Sequence, residues 1–469
     1  MVLIPADPLE IDPRHVVDAQ GLRVSRLLFS GLVAIDPMTL EAMPALAERI
    51  DASDDALTYR VTLREGLRFS DGSALDAHDV RATYESIQTS HSRFADNYAR
   101  IARIDTPDAR TIVFTLRAPH APFLTDLEMP IVRAEDAGVH LHLGDASIAS
   151  SGPYALATQG ARVIDLDGRD DFYAGRPVRA SLRFVVIHDE NTRALRMLGG
   201  AGDLALASIP PLLIPMFDQD PRFVVRTADG TGTVYVGIET EHGVLADVRV
   251  RRAIAMALDR VAIADGKYEG LASVAETWIP EGHWAADPSA RIPSFDPAAA
   301  RALLDEAGVP TGARMVLRCS SDRTRVSTAN AIAAMLGDVG LDIEVRPSET
   351  GILLADLDGG RFDLALMALP ELFEPHTMGR FFDSHSIPGE GGGANRWRFR
   401  SPELDAALAR GVATLDRAAR TAAYAEVQQV LVRELPMIPI VHERVTLVAS
   451  TRAHVEAAPR DGRYAFLAR

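Results

Sequence analysis

His140 and His142 stand one residue apart, a pairing that could hold a divalent metal. The sequence around them supplies no third ligand, so surface histidines are the expected reading. The single thiol, Cys319, follows an apolar stretch, and nothing beside it would lower its pKa. A buried structural cysteine is expected there. The acidic pairs Asp54-Asp55 and Asp170-Asp171 lie in polar turn sequence, which reads as solvated surface rather than a hydrolytic carboxylate pair. Gly389–Gly393 is glycine-rich, but no helix pattern follows it, so it reads as a linker rather than a phosphate cradle. The chain contains no GxxxxGK[ST], HExxH or GxSxG motif. These residues point to binding rather than covalent chemistry.

The elements that must position them alternate. Leu57–Leu63 (LTYRVTL) has the β-branched and aromatic content of a strand, and Asp71-Gly72 is a turn signal. Asp76–Ile87 is predicted to be a helix, with Asp76 as N-cap and Asp79 placed to close the cap. Asp105–Leu116 reads as a hairpin. Ser151-Gly152-Pro153 is a breaker, followed by strands at Tyr154–Leu166 and Ala180–Ile187. Val248–Ala264 has the apolar period of one long amphipathic helix. Arg314–Arg318, Thr324–Gly340, Leu341–Arg346 and Phe362–Ala368 then read strand, helix, strand, strand, an α/β alternation. Helices at Ser401–Gly411 and Asp416–Leu435 precede a last strand, Met437–Leu447.

The 469 residues are about three ~150-residue domains long, so two or three domains are expected. Lys plus Arg is 49 and Asp plus Glu is 65, a formal charge of −16. That balance opposes a general nucleic-acid binder and docking on anionic lipid. One cysteine excludes intrachain disulfides and CxxC zinc sites. The longest apolar runs, near Leu364–Leu369 and Leu435–Val441, are too short to cross a bilayer. The opening MVLIPADPLEIDP lacks a basic region followed by an apolar one. Two expectations follow: a cytoplasmic chain, or a secretion signal outside this sequence.

The stretch Leu57–Ile87, LTYRVTLREGLRFSDGSALDAHDVRATYESI, carries Leu63-Arg64-x-Gly66, then Phe69-x-Asp71-Gly72, then a helix opened near Asp79-Val80. This resembles the signature of the family 5 extracellular solute-binding proteins of ABC transporters, the dipeptide- and oligopeptide-binding group. The resemblance continues in order through Ile11-Asp12-Pro13, Pro44–Glu48, Ser151-Gly152-Pro153-Tyr154, Gly202-Asp203-Leu204-Ala205, Asp247–Arg260 (DVRVRRAIAMALDR), Phe295–Gly308, Gly360–Asp363 and Ser401–Asp405. Each match alone is weak; their order along nearly the whole chain makes the assignment.

The resemblance implies an α/β, two-lobed periplasmic-binding-protein fold of class II, the large type with an inserted subdomain, and an interlobe ligand cleft. It places lobe I at 1–35, 151–239 and 441–469, the inserted subdomain at 36–150, and lobe II at 240–440. It implies a receptor without cofactor or resident metal. Such a receptor captures a small polar solute, most simply a peptide or amino-acid-like compound, and delivers it to an ABC transporter permease. The protein would be a monomer, periplasmic or extracellular, with any peripheral or lipid-anchored attachment made through a segment not in this sequence. The alternative is a cytoplasmic solute-sensing regulator of the same fold. In dipeptide-binding members a Trp and an Asp precede an Asp-Pro pair, and that Asp takes the peptide ammonium. Here the pair becomes Glu374-Pro375, the ammonium position falls on Glu371 and the Trp position on Ala368. The plain alternative for Glu371 is a solvated turn carboxylate, with Asp363 and Glu374 next in line. Arg318 and Arg323 stand nearest the carboxylate-binding arginine, Asn395 and Trp397 fall on a loop the family places near the cleft, and His442 joins them as a candidate.

Overall fold

The structure is a computed structural model, and it describes residues 1–16, 18–90, 92, 94–145, 148–160, 162–369, 372–390 and 393–469. The chain divides into two compact units: unit 1 is 1–228 with 445–469, and unit 2 is 229–444. The chain passes between them within two long strands, Phe223–Ile238 and Met437–Ser450. The resemblance put those passages at 239/240 and 440/441. The compact units change inside the strands instead, since a strand can leave one core and enter another without a turn.

Besides the short antiparallel pairing of Val33–Ile35 with Ala42–Pro44, two larger sheets run through unit 1. In the first, Val2–Ile4 lies parallel to Ser181–Val186 and to Leu204–Leu206, and is buried on both faces, as expected of a strand flanked by parallel partners. Val163–Gly168 and Tyr154–Gly160 extend that sheet antiparallel. Leu447–Ala449 pairs with Leu204–Leu206. The second sheet, inside the segment expected to be a subdomain, is antiparallel, in the order Ala47–Ala52, Thr58–Leu63, Thr111–Leu116, Ile101–Asp108. Alternate residues Tyr59, Val61 and Leu63 face a core closed by the helix Ala77–Thr89. Asp76 caps that helix and Asp79 accepts from the Asp76 N–H, completing the expected capping box.

Unit 2 is the α/β alternation read from the sequence. Ala313–Ser320 is parallel to Leu341–Ser348 and to Leu364–Leu369, and the helix Arg323–Asp338 makes the first crossover. Leu364–Leu369 is antiparallel to Thr233–Ile238. Gly237 is required there: a Cβ would stand 1.9 Å from the Trp397 ring. The single helix expected over Val248–Ala264 is two, Val248–Ala257 and Arg260–Tyr268. Leu258 leaves the helical region and Asp259 caps the second helix through the Ala262 N–H. A capping aspartate overrode an uninterrupted apolar period. No helix of the described residues is long and apolar enough to cross a membrane.

Candidate ligand-binding site

Unit 2 carries a pocket of about 330 Å³ beside the points where the chain enters and leaves it, Asp229-Gly230 and Arg444. It lies along the pairing of Ala272–Val274 with the first half of the last strand, in the register Ser273↔His442 and Ala272↔Glu443. The segment after Val274 supplies Glu276, Thr277 and Glu281. Four carboxylates therefore line the pocket, from Asp229, Glu276, Glu281 and Glu443, against one lining guanidinium, Arg444. Arg444 pairs with Asp229 at 3.2 Å, Arg291 with Glu276 at 3.5 Å and Arg325 with Glu443 at 2.9 Å. Glu281 is exposed at the rim.

His442 is the buried titratable group of this pocket, 7% exposed. Its Nδ1 shares a 2.9 Å hydrogen bond with the Thr233 hydroxyl. Nε2 is buried and has no well-formed hydrogen bond among the described residues, although the Thr277 backbone lies close enough to favour the charged ring. Burial dominates, pushing the pKa down to about 4 against weaker opposing effects of Thr277 and Asp229. At neutral pH the ring is uncharged and offers one nitrogen as donor and the other as acceptor. The pocket thus joins a neutral imidazole to four carboxylates, three of them paired with arginines and Glu281 at the exposed rim.

Of the six expected site residues, only His442 lines this pocket. Glu371 lies outside the described residues. Arg318 is already engaged: it pairs with Asp356 at 2.6 Å and donates to the Arg361 carbonyl at 2.6 Å. Arg323 is exposed at the first turn of its helix. Asn395 and Trp397 have packing roles. Asn395 is 0% exposed; its amide donates to the Asp383 and Phe399 carbonyls and its oxygen accepts from the Phe399 N–H. Trp397 meets Tyr235 and Phe362 edge-on above Gly237. Both side chains are fully buried within unit 2. The reserve carboxylates are also committed: Glu374 forms a buried pair with Arg420, and Asp363 accepts from the Val316 N–H and pairs with His242. Thr233, Asp229 and Glu276 escaped the sequence reading. Thr233 is 209 residues from His442, and no local pattern announces strand pairing at that separation.

Cys319 is fully buried, as expected, and burial raises its pKa. Comparison with known proteins then decides the family. Residues 41–384 match the bacterial extracellular solute-binding proteins, family 5 (middle region). The chain belongs to that family. Di/tripeptide-binding protein 1 of Pseudomonas aeruginosa (strain UCBPP-PA14) is 27% identical over 93% of this chain and 88% of its own. Protein XP55 of Streptomyces lividans is 31% identical over 87% and 77%. Among solved structures, the ABC transporter substrate-binding protein CtaP of Listeria monocytogenes superposes with a TM-score of 0.87 at 21% identity, covering 98% of this chain and 97% of that one. The oligopeptide-binding protein AppA of Bacillus subtilis, in complex with a nonapeptide, gives 0.82 at 20% identity over 100% and 97%. These likenesses establish the two-lobed α/β periplasmic-binding-protein fold. Family 5 members are solute-binding proteins of ABC importers, periplasmic or extracellular, and not enzymes. This chain is accordingly a binding protein.

Proposed function

We propose that this family 5 protein captures a short peptide or a similar amino-acid-like compound and hands it to a membrane permease. The observation that carries the reading is the acidic pocket around neutral His442. An ammonium group leaving water needs a carboxylate partner, because an unpaired buried charge is costly. The adjoining strand Ala272–Val274 pairs with one neighbour among the described strands, which leaves main-chain groups for an extended ligand. The names of the Pseudomonas relatives, di/tripeptide-binding proteins, support the same ligand class. By resemblance Glu371 is the ammonium partner, and Arg323, exposed where Arg318 is engaged, is the candidate for the ligand carboxylate.

A thermal-shift screen over di- and tripeptides identifies the ligand, since a compound at 100 times its Kd stabilises by about 2.7 kcal/mol. Titration calorimetry of Glu371→Gln and Glu276→Gln with that peptide then locates its ammonium group. Loss of the partner charge is expected to weaken binding about 30-fold or more, from a cost of about 2–5 kcal/mol. A screen in which no peptide shifts the melting temperature, or equal affinity in both variants, rejects the reading.

A further inference from the structure

A second constellation lies in unit 1, far in sequence from the peptide pocket. The structure supplies the third ligand that the sequence around His140 and His142 did not show. One donor atom from each of Glu10, His140 and His142 lies within 4.8 Å of the others. Glu10 Oε2 contacts His140 Nε2 directly. The His15 ring stacks on His140, and His140 stacks on His142, each with centroids 4.5 Å apart. Three imidazoles and one carboxylate are thereby gathered in a row.

The backbone beneath them is held from inside. Leu141 is buried between the two exposed histidines, so both imidazoles project from the outer side of an extended segment. The Leu141 N–H donates to Asp12 at 3.1 Å. Asp12 is fully buried and pairs with Arg14 at 2.6 Å, and Arg14 donates to the Ala137 and Val139 carbonyls at 2.6 Å each. Glu10 uses Oε1 to accept the Ile11 and Asp12 N–H groups at 2.8 Å, which leaves Oε2 for His140. The His142 N–H donates to Asp145 at 2.7 Å. The carboxylate and both histidines thus project from one pinned junction of two segments 130 residues apart. A held carboxylate beside two exposed imidazoles is what a cation site needs before the cation arrives.

We propose that Glu10, His140 and His142 form a binding site for one divalent transition-metal ion, with His15 as a positioning residue that stacks on His140. Imidazole-rich donor sets with one carboxylate favour zinc, nickel and copper over magnesium or calcium. Three protein ligands leave at least one position open, so water or a small chelating solute completes the shell. The imidazole nitrogens must close to about 3.4 Å for tetrahedral bonds of about 2.1 Å, a shift that exposed side chains make by rotation.

The test uses the full chain without an affinity tag, dialysed against ZnCl2 or NiCl2 alone, with metal counted by elemental analysis and affinity measured by calorimetry. One ion per chain is expected. The double variant His140→Ala/His142→Ala is expected to lose it, and Glu10→Gln, which keeps the turn acceptor but removes the charged ligand oxygen, to weaken its binding. His385→Ala, at the exposed Asp383–His385–Asp405 cluster, should leave stoichiometry and affinity unchanged. Both histidines are exposed, so the unliganded melting temperature should not move. Wild-type affinity in the double variant, no saturable binding by the wild type, or loss of the ion in His385→Ala overturns the proposal.

Discussion

The two histidine sites differ in what holds them. His442 is buried in a sheet of unit 2, with one nitrogen on Thr233 and its charge suppressed by the surrounding protein. His140 and His142 stand exposed on unit 1, and the polar work beneath them is done by the buried Asp12–Arg14 pair. Burial keeps the first imidazole neutral and its geometry fixed. Exposure leaves the second pair open to solvent and to the cation proposed above. The same side chain therefore stands in two environments, and the packing of its neighbours decides which chemistry each one favours.

The sharpest way to break this contrast is to remove the support under the exposed pair. Asp12→Ala leaves Arg14 buried without its partner and is expected to cost about 3–5 kcal/mol, read as a lower denaturant midpoint. In the native protein, burial alone would raise the Asp12 pKa, but Arg14 and the Leu141 N–H hold it below the usual carboxylate range. A midpoint within error of wild type would show that the staple does not anchor this region.

Next in size is pH. The His442 pKa is lowered from 6.5 to about 4 on folding, so the unfolded chain binds the proton more readily. Its contribution is present above pH 6.5 and is lost as pH falls toward 4, by about 3 kcal/mol in all. The stability of wild type relative to His442→Gln should fall by about 3 kcal/mol between pH 7 and 4. Parallel curves would mean that His442 titrates normally.

The smallest effect is expected at the exposed pair itself. Without metal, His140→Ala/His142→Ala should change stability by no more than about 0.5 kcal/mol, as for surface substitutions away from special features. A larger loss would place these rings among the packing residues and erase the difference from His442.

What was legible in the sequence was local or ordered. The capping box at Asp76 and Asp79 closes within three residues, so its chemistry can be read without the fold. The hairpin read at Asp105–Leu116, whose first strand begins earlier at Ile101, and the alternation Ala313–Ser320, Arg323–Asp338, Leu341–Ser348 rest on periods that repeat along the chain. The family followed from motifs in order, which needs no contact at all. Only the tertiary structure decided which polar groups meet. Glu10 reaches His140 across 130 residues and Thr233 reaches His442 across 209. It also sent Asn395 and Trp397 inward and tied Arg318 to Asp356. Side-chain direction at such positions depends on strand register and on the neighbours that desolvate them, and neither quantity is written within reach of the residue itself.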